Sequence, residues 1–381
     1  MKQDWLQEAL QARAAKGQKR TLRTMDCCQH PFVEVEGRKL VNFSSNDYLG
    51  LAAHPLLVER GHAFAQAYGA GSRASRLVCG SHPGYLKVEA KLARLKGTEA
   101  ALVLNSGWQA NLGLLAALAG PKDLVLMDKL VHNSLIQGVL ASGAPFKRFR
   151  HNDLDHLAQL LQEAQGKRVF VLAETIYSMD GDQPDLERLV GLTKAAGAFL
   201  ILDEAHGTGV FGPEGMGLSV GLGADLVMGT FGKALGSFGA YLAGSELLVQ
   251  YLINFHPGLI YSTALPPFAL GAIDASLELV PKMGAEREHL GHLSQVLRQG
   301  LRQRGYDTLA SQSQIVPLLV GEEAQCLALS AYLEDQGFLA LAIRPPTVEP
   351  GKARLRLALS ATHTLEQING LLSALDRWGA L

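Results

Sequence analysis

From about residue 97 onward, short apolar runs alternate with helix-length segments. "AALVLNS" precedes "GWQANLGLLAALAG", "DLVLMD" precedes "KLVHNSLIQGVLASG", and "RVFVLAE" precedes "DLERLVGLTKAAG"; "FLILDE" and "ADLVMGTFGKALG" follow. The runs hold few polar positions, as strands do when both faces are buried. Such strands separated by helices predict an α/β fold, with a mainly parallel sheet flanked by helices. Polar residues collect at the carboxyl ends of the runs: Asn105-Ser106, Asp128, Glu174, Asp203 and Thr230. In open α/β sheets, ligands bind at that edge.

The last hundred residues change texture. "IVPLLV" predicts a strand, "EAQCLALSAYLEDQG" a helix ending at Gly337, and "FLALAIRP" and "ARLRLALS" two further strands; a Thr364-x-x-Gln367 capping box opens a final helix. This is a smaller α+β unit. The expected division is 1–50 as an N-terminal helix and segment, 51–265 as the large domain and 266–381 as the C-terminal domain. Residues 1–50 are expected to belong with neither sheet alone. Their first stretch, "MKQDWLQEALQARAAKGQKR", reads as an amphipathic helix with Trp5, Leu6, Ala9 and Leu10 on one side.

The 381 residues fit one large and one small domain, and 48% hydrophobic with 19% charged residues fits a packed globule. With 35 basic and 36 acidic residues, net charge −1, nothing calls for nucleic acid or an anionic membrane. Cys27, Cys28, Cys79 and Cys326 form no C-x-x-C pair, so reduced thiols in the cytosol and no metal site are expected. The start lacks the apolar stretch of a signal peptide, and the longest apolar run, near "LGLLAALAG", is far too short to span a bilayer.

"ILDEAHGTGVFG", residues 201–212, permits three chemistries. Asp203-Glu204-Ala205-His206 spells the DEAH box of nucleic-acid motor ATPases. That box requires a P-loop, and the only candidate, at Gly232-Lys233, has Val227 for its first glycine and Ala234 for its Ser or Thr. Gly207 to Gly212 spells G-x-G-x-x-G, the dinucleotide fingerprint. It needs a helix directly after the glycines, and "GPEGMGLSVGLG" breaks any helix, which leaves a glycine loop. The third chemistry is a heteroaromatic cofactor held by Asp203 and His206.

Lys233 supports the third. It lies between glycines in "MGTFGKALG", just past a buried strand, where desolvation lowers a lysine's pKa and makes it a nucleophile for Schiff-base chemistry. Pyridoxal phosphate needs that amine, a carboxylate at the ring nitrogen and a helix N-terminus for its phosphate. Asp203 is the carboxylate, and His206 can reach the ring hydroxyl. Ser106, Gly107 and Trp108 open a helix and offer backbone N–H groups. Thr230 and Ser178 add hydroxyls, and His132 can stack on the ring. Glu204 is then incidental to the spelling.

These blocks, with "VNFSSNDYLGL" at 41–51, "ETIYSMDGD" at 174–182 and "TFGKALGSFG" at 230–239, occur in order. The chain resembles the α-oxoamine synthases, a family of fold-type I pyridoxal-phosphate enzymes, over nearly its whole length. The resemblance implies a PLP-dependent acyltransferase with Lys233 as cofactor lysine and base, and Asp203 and His132 as catalytic partners. Glu174 and Asn46 order the site. The block "AIRPPTVEPGKARLRLALSATHT" is most similar to the branch that condenses L-alanine with pimeloyl-CoA or pimeloyl-acyl-carrier protein in biotin biosynthesis. The alternative is a glycine-using sister of the 2-amino-3-oxobutyrate CoA ligase or 5-aminolevulinate synthase type. By family position Arg356 clamps the amino-acid carboxylate, Arg354 on the same strand face being a surface charge, while Arg20, Arg344 and Thr347 meet the acyl substrate or product carboxylate. The family forms homodimers with shared active sites, and Ser262 and Thr263 resemble the segment that reaches the partner's phosphate. The chain departs from relatives at Arg73 and Ala74, where smaller residues or glycine are common, and at Asn133, where many have Ala.

Overall fold

The computed structural model describes residues 3–26 and 30–379, so Cys27 and Cys28 lie outside the described residues. The chain divides into two units. The larger holds Asn46–Ser178 and Asp182–Glu288, and the smaller holds the residues up to Ser45, Met179–Gly181 and His289–Leu381.

A seven-stranded sheet forms the larger unit. From one edge its strands are Ala100–Leu104, Ala240–Gly244, Leu226–Thr230, Phe199–Asp203, Val169–Glu174, Leu124–Asp128 and Phe146–Phe149. Ala240–Gly244 runs antiparallel to both neighbours, and every other pairing is parallel. The apolar runs alternate between two cores. Val125, Met127, Leu172, Ile201 and Met228 face one, with helices Gly107–Leu118 and Asn133–Ser142; Leu124, Leu126, Val171, Leu200 and Leu202 face the other, with helices Leu154–Glu163 and Leu186–Ala195. Burial on both faces is why these strands lack polar alternation.

The sequence pattern ends the large domain at 265, whereas the larger unit continues to Glu288. Helix Pro267–Leu279 lies against helix Pro55–Tyr68, with Arg60 bridging Asp274 and Glu278. A Cβ at Gly271 would stand 2.5 Å from the Arg60 carbonyl oxygen, so only glycine permits this approach.

In the smaller unit, strands Ile315–Gly321 and Ala342–Ile343 pair antiparallel with Ala353–Ala358. A hairpin of Phe32–Val35 and Arg38–Asn42 takes Phe338–Leu339 as a parallel third strand. The run "FLALAIRP" is therefore divided between two sheets. The capping box forms: Thr364 N–H donates to Gln367 Oε1 at 3.0 Å, and Gln367 N–H to Thr364 Oγ1 at 3.2 Å. Helix Asp4–Ala15 forms but buries none of its residues. Among the described residues, no helix is long and apolar enough to cross a membrane.

Candidate active site

Parallel register sets Glu174 beside Asp203, and Asp203 beside Met228, at the carboxyl edge of the larger sheet. A cavity of about 200 Å³ opens there. Of the expected site residues, Gly107, Trp108, His132, Glu174, Asp203, His206, Thr230 and Lys233 line it.

Lys233 and His206 meet directly, with Nζ 2.7 Å from Nε2. Asp203 is 4% exposed, and its carboxylate accepts from Asn111 Nδ2 and from the Ala205 N–H, both at 2.9 Å. No cation among the described residues pairs with it. A buried carboxylate held only by neutral donors is costly unless a cation arrives, and a protonated pyridine nitrogen is such a cation. On this ground the residues fit pyridoxal phosphate.

His132 caps helix Asn133–Ser142. Its Nδ1 lies 2.8 Å from Ser134 Oγ, and its backbone N–H donates to Glu174 Oε1 at 2.5 Å. Burial lowers the His132 pKa and Lys233 lowers it further, against a raising effect of Asp203, so the ring is held neutral. Burial, reinforced by Asp203, pushes the Glu174 carboxyl well above its ordinary range; Lys233 and the His132 N–H oppose this.

The twelve-residue helix Gly107–Leu118 points its N-terminus at the cavity, capped by Ser106, which accepts from the Gln109 N–H at 3.2 Å. Such an end suits a phosphate. A Cβ at Gly107 would meet nothing nearer than Met228 Cε at 3.4 Å. Thr230 Oγ1 donates to the Gly239 carbonyl at 2.8 Å and accepts from the Gly232 N–H at 3.1 Å. Ser178 is buried in the larger unit outside the cavity lining; Asn46 is half-buried, also outside it, and its Oδ1 accepts from the Tyr48 hydroxyl at 3.1 Å. Thr263 is exposed, and its carbonyl accepts from Asn105 Nδ2 at 2.6 Å. Arg73 adopts φ 65°, a conformation that favours glycine.

The other expected residues lie in the smaller unit. Arg20 Nη2 donates to Thr347 Oγ1 at 3.4 Å, and Arg344 Nη1 bonds the Gly17 carbonyl. Arg354 is no surface charge: it is 5% exposed and its guanidinium bonds Asp180. Arg356 is 8% exposed, two residues along the same strand.

Glu204 is likewise not incidental. Strand alternation sends it to the face opposite Asp203. There Lys96 bonds it in a fully buried ion pair, and Lys96 Nζ also donates to the Met216 carbonyl at 2.6 Å and Ser219 Oγ at 3.1 Å. Ser219 returns its N–H to Glu204 Oε1 at 2.9 Å and its hydroxyl to Oε2 at 2.6 Å. The glycine loop after the strand is thus fastened. Three more residues carry no local signal: Tyr48 behind His206, Asn111 beneath Asp203, and His151, whose ring joins Asp128 at 2.9 Å to Asp182 at 2.7 Å.

Comparison with known proteins identifies the family. The family model for aminotransferase class I and II matches residues 38–375. The 8-amino-7-oxononanoate synthase of Gluconacetobacter diazotrophicus is 50% identical over 368 residues, 94% of this chain and 92% of that protein. A solved structure of SPT with a PLP internal aldimine superposes with a TM-score of 0.92 at 28% identity, covering 100% of this chain and 99% of that one. The crystal structure of 8-amino-7-oxononanoate synthase from Francisella tularensis gives 0.79 at 26% identity, covering 90% and 98%. The chain belongs to the aminotransferase class I and II family, as a fold-type I, pyridoxal-phosphate-dependent acyltransferase of the 8-amino-7-oxononanoate synthase type.

Proposed function

We propose that the chain condenses L-alanine with a pimeloyl thioester, carried by CoA or by acyl-carrier protein, and releases CO2 and free thiol to give 8-amino-7-oxononanoate for biotin synthesis. It works as a homodimer with shared active sites. The observation that carries the reading is the cation-free buried carboxylate of Asp203 in one cavity with the Lys233–His206 pair.

When bound, pyridoxal phosphate supplies an aldehyde for amines and a ring that accepts the electron pair released at an amino acid's α-carbon. Asp203 keeps the ring nitrogen protonated. The N-terminus of helix Gly107–Leu118 would take the phosphate, with Ser178 and the partner's Thr263 as hydroxyl donors and Thr230 turning its hydroxyl to it from the Gly239 carbonyl. Lys233 would hold the cofactor through its aldehyde and would serve as the base for the α-proton of the amino acid. His132 covers the ring face and, being neutral, can donate to the thioester carbonyl. Arg356 clamps the alanine carboxylate, because Arg354 is committed to Asp180. Asn46 and Glu174 order the amino acid, and Arg20, Arg344 and Thr347 receive the distal carboxylate of the pimeloyl group.

The test is thiol release by holoenzyme across glycine, alanine and serine, with acyl-CoAs of several lengths and pimeloyl-acyl-carrier protein. Release with alanine and a pimeloyl thioester is expected. Release with glycine and acetyl-CoA alone would move the chain to the glycine-using sisters. Wild-type protein saturated with pyridoxal phosphate must show a visible absorbance band that Lys233→Ala loses; absence of the band from wild type would overturn the site assignment.

A further inference from the structure

We propose that Asn111 and Ser134 are positioning residues that relay hydrogen bonds from Asp203 to His132 and fix the His132 ring as a donor, with its proton on Nε2. Asn111 Nδ2 lies 2.9 Å from Asp203 Oδ2 and 2.9 Å from Ser134 Oγ, and Ser134 Oγ lies 2.8 Å from His132 Nδ1. Asn111 and Ser134 are both buried, and of the two only Ser134 reaches the cavity wall.

The Asp203 end sets the polarity of the relay. A carboxylate only accepts, so the Asn111 group that faces it is the NH2. The second N–H of that amide goes to Ser134 Oγ. Asn111 Oδ1 is buried without a hydrogen-bond partner among the described residues, in the orientation that commits both amide N–H groups to the relay. Ser134 Oγ accepts from Asn111 and has its own proton to place, and His132 Nδ1 is the acceptor in reach. The Ser134 backbone N–H, which can only donate, reaches the same nitrogen at 3.3 Å. Two donors on Nδ1 leave the proton of the neutral ring on Nε2. Among the described residues the ring's hydrogen bonds are both to Ser134, so Nε2 is the nitrogen left for a ligand in the cavity. His132 therefore offers an N–H to a carbonyl oxygen there, and on that side it has no lone pair with which to take a proton. Of the other charged or titratable groups on the wall, Glu174 accepts from the His132 backbone N–H, and Lys233 meets His206.

A glycine lets the two helices that carry the relay come together. Gly138 lies one turn beyond Ser134 on the same face of helix Asn133–Ser142. A Cβ there would stand 2.5 Å from the Asn111 carbonyl oxygen and 3.1 Å from Leu115 Cβ. The N-cap contributes too: because His132 caps this helix through Nδ1, the ring is turned with that nitrogen toward Ser134.

The inference rests on His132 as a donor to the substrate in the proposed function, and its test uses no substrate, so the failure of one is read apart from the failure of the other. The experiment records 15N spectra of histidine-labelled holoenzyme, with His132 identified by its loss in His132→Asn, which keeps a capping side chain. Wild type should show Nε2 protonated and Nδ1 bare. Ser134→Ala keeps the backbone donor and loses the hydroxyl, and it should move the tautomer ratio about 3- to 10-fold toward Nδ1–H. Asn111→Leu should move the ratio the same way by about 3-fold or more. In the Ser134→Ala background it should move it by less than about 2-fold, since its effect passes through the hydroxyl. Protonation at Nδ1 in wild type, an unchanged ratio in Ser134→Ala, or an equal Asn111→Leu shift in both backgrounds overturns the proposal.

Discussion

Removing either partner of the Lys96–Glu204 pair should be among the most damaging changes outside the cavity. Both side chains have zero exposure. Burial acts to lower the Lys96 pKa, but Tyr241 and Glu204 outweigh it, so the ammonium stays charged. Lys96→Met strands a buried carboxylate with only the two Ser219 donors and leaves the Met216 carbonyl without its lysine. Glu204→Gln strands the ammonium. Breaking a buried pair in this way costs about 3–5 kcal/mol. Lys96→Met with Glu204→Leu removes both charges, and replacing a buried pair by apolar groups ranges from neutral to stabilising by about 1–4 kcal/mol. It also orphans the Ser219 N–H and the Met216 carbonyl, at about 1–3 kcal/mol each. The double variant should therefore cost at most about 6 kcal/mol and fall below the single variants' sum of about 6–10 kcal/mol. Urea unfolding of the three holoenzymes at saturating cofactor reads this as denaturant midpoints. Additive losses, or single variants costing under about 1 kcal/mol, would refute the account of Glu204 as one half of a buried pair.

Gly217→Ala should cost about 1–3 kcal/mol or more, because its φ is +108° and the added Cβ would stand 2.1 Å from Glu204 Cδ; a wild-type urea midpoint would show the loop is not fastened as described. Burial works to lower the His151 pKa, but the bonds to Asp128 and Asp182 prevail and push it up to about 10, from about 6.5 unfolded. A raised pKa stabilises fully below pH 6.5 and is lost as pH climbs through 10. His151→Gln should therefore trail wild type by a few kcal/mol at about pH 6 and converge on it by about pH 10, and a gap independent of pH would contradict the charged ring. Arg356→Lys should raise the KM for the amino acid about 10- to 100-fold with a smaller change in kcat, while Arg354→Lys should shift the urea midpoint more than KM; the opposite pattern in steady-state kinetics would exchange their roles.

The parallel core and its ligand edge were legible in the chain because strands buried on both faces leave unbroken apolar runs that end in polar residues. Three runs, holding four strands, left weaker traces. "AYLAG" is short and lies between glycines, "FKRF" is an edge strand with three exposed positions, and "FLALAIRP" serves two sheets. The cofactor group was legible through Lys233, because a spot between glycines just beyond an apolar run is a costly place for a lysine that has no chemistry to perform. Tyr48, Asn111 and Lys96 were not legible, since their partners lie 158, 92 and 108 residues away and no local period links them. Arg354 misled for the same reason: its partner Asp180 is 174 residues back along the chain.

Asp203 and Glu204 show why a motif cannot assign roles without the pairing around it. They are adjacent acidic residues, both at most 4% exposed, on opposite faces of one strand end. In a medium that penalises buried charge, each carboxylate needs a cation. Glu204 has one permanently in Lys96, with Ser219 completing its bonds, so it can bind nothing further and holds a loop. Among the described residues Asp203 accepts from Asn111 and a backbone N–H, which fix its orientation, and it has no salt bridge like that of Glu204. The face with Asp203 is the face where Lys233 and His206 meet. If the cofactor ring enters there as proposed, Asp203 would meet it as an anion that the fold has already desolvated and oriented, so reorganisation would not be required on binding. The same ring on the other face would meet a salt bridge.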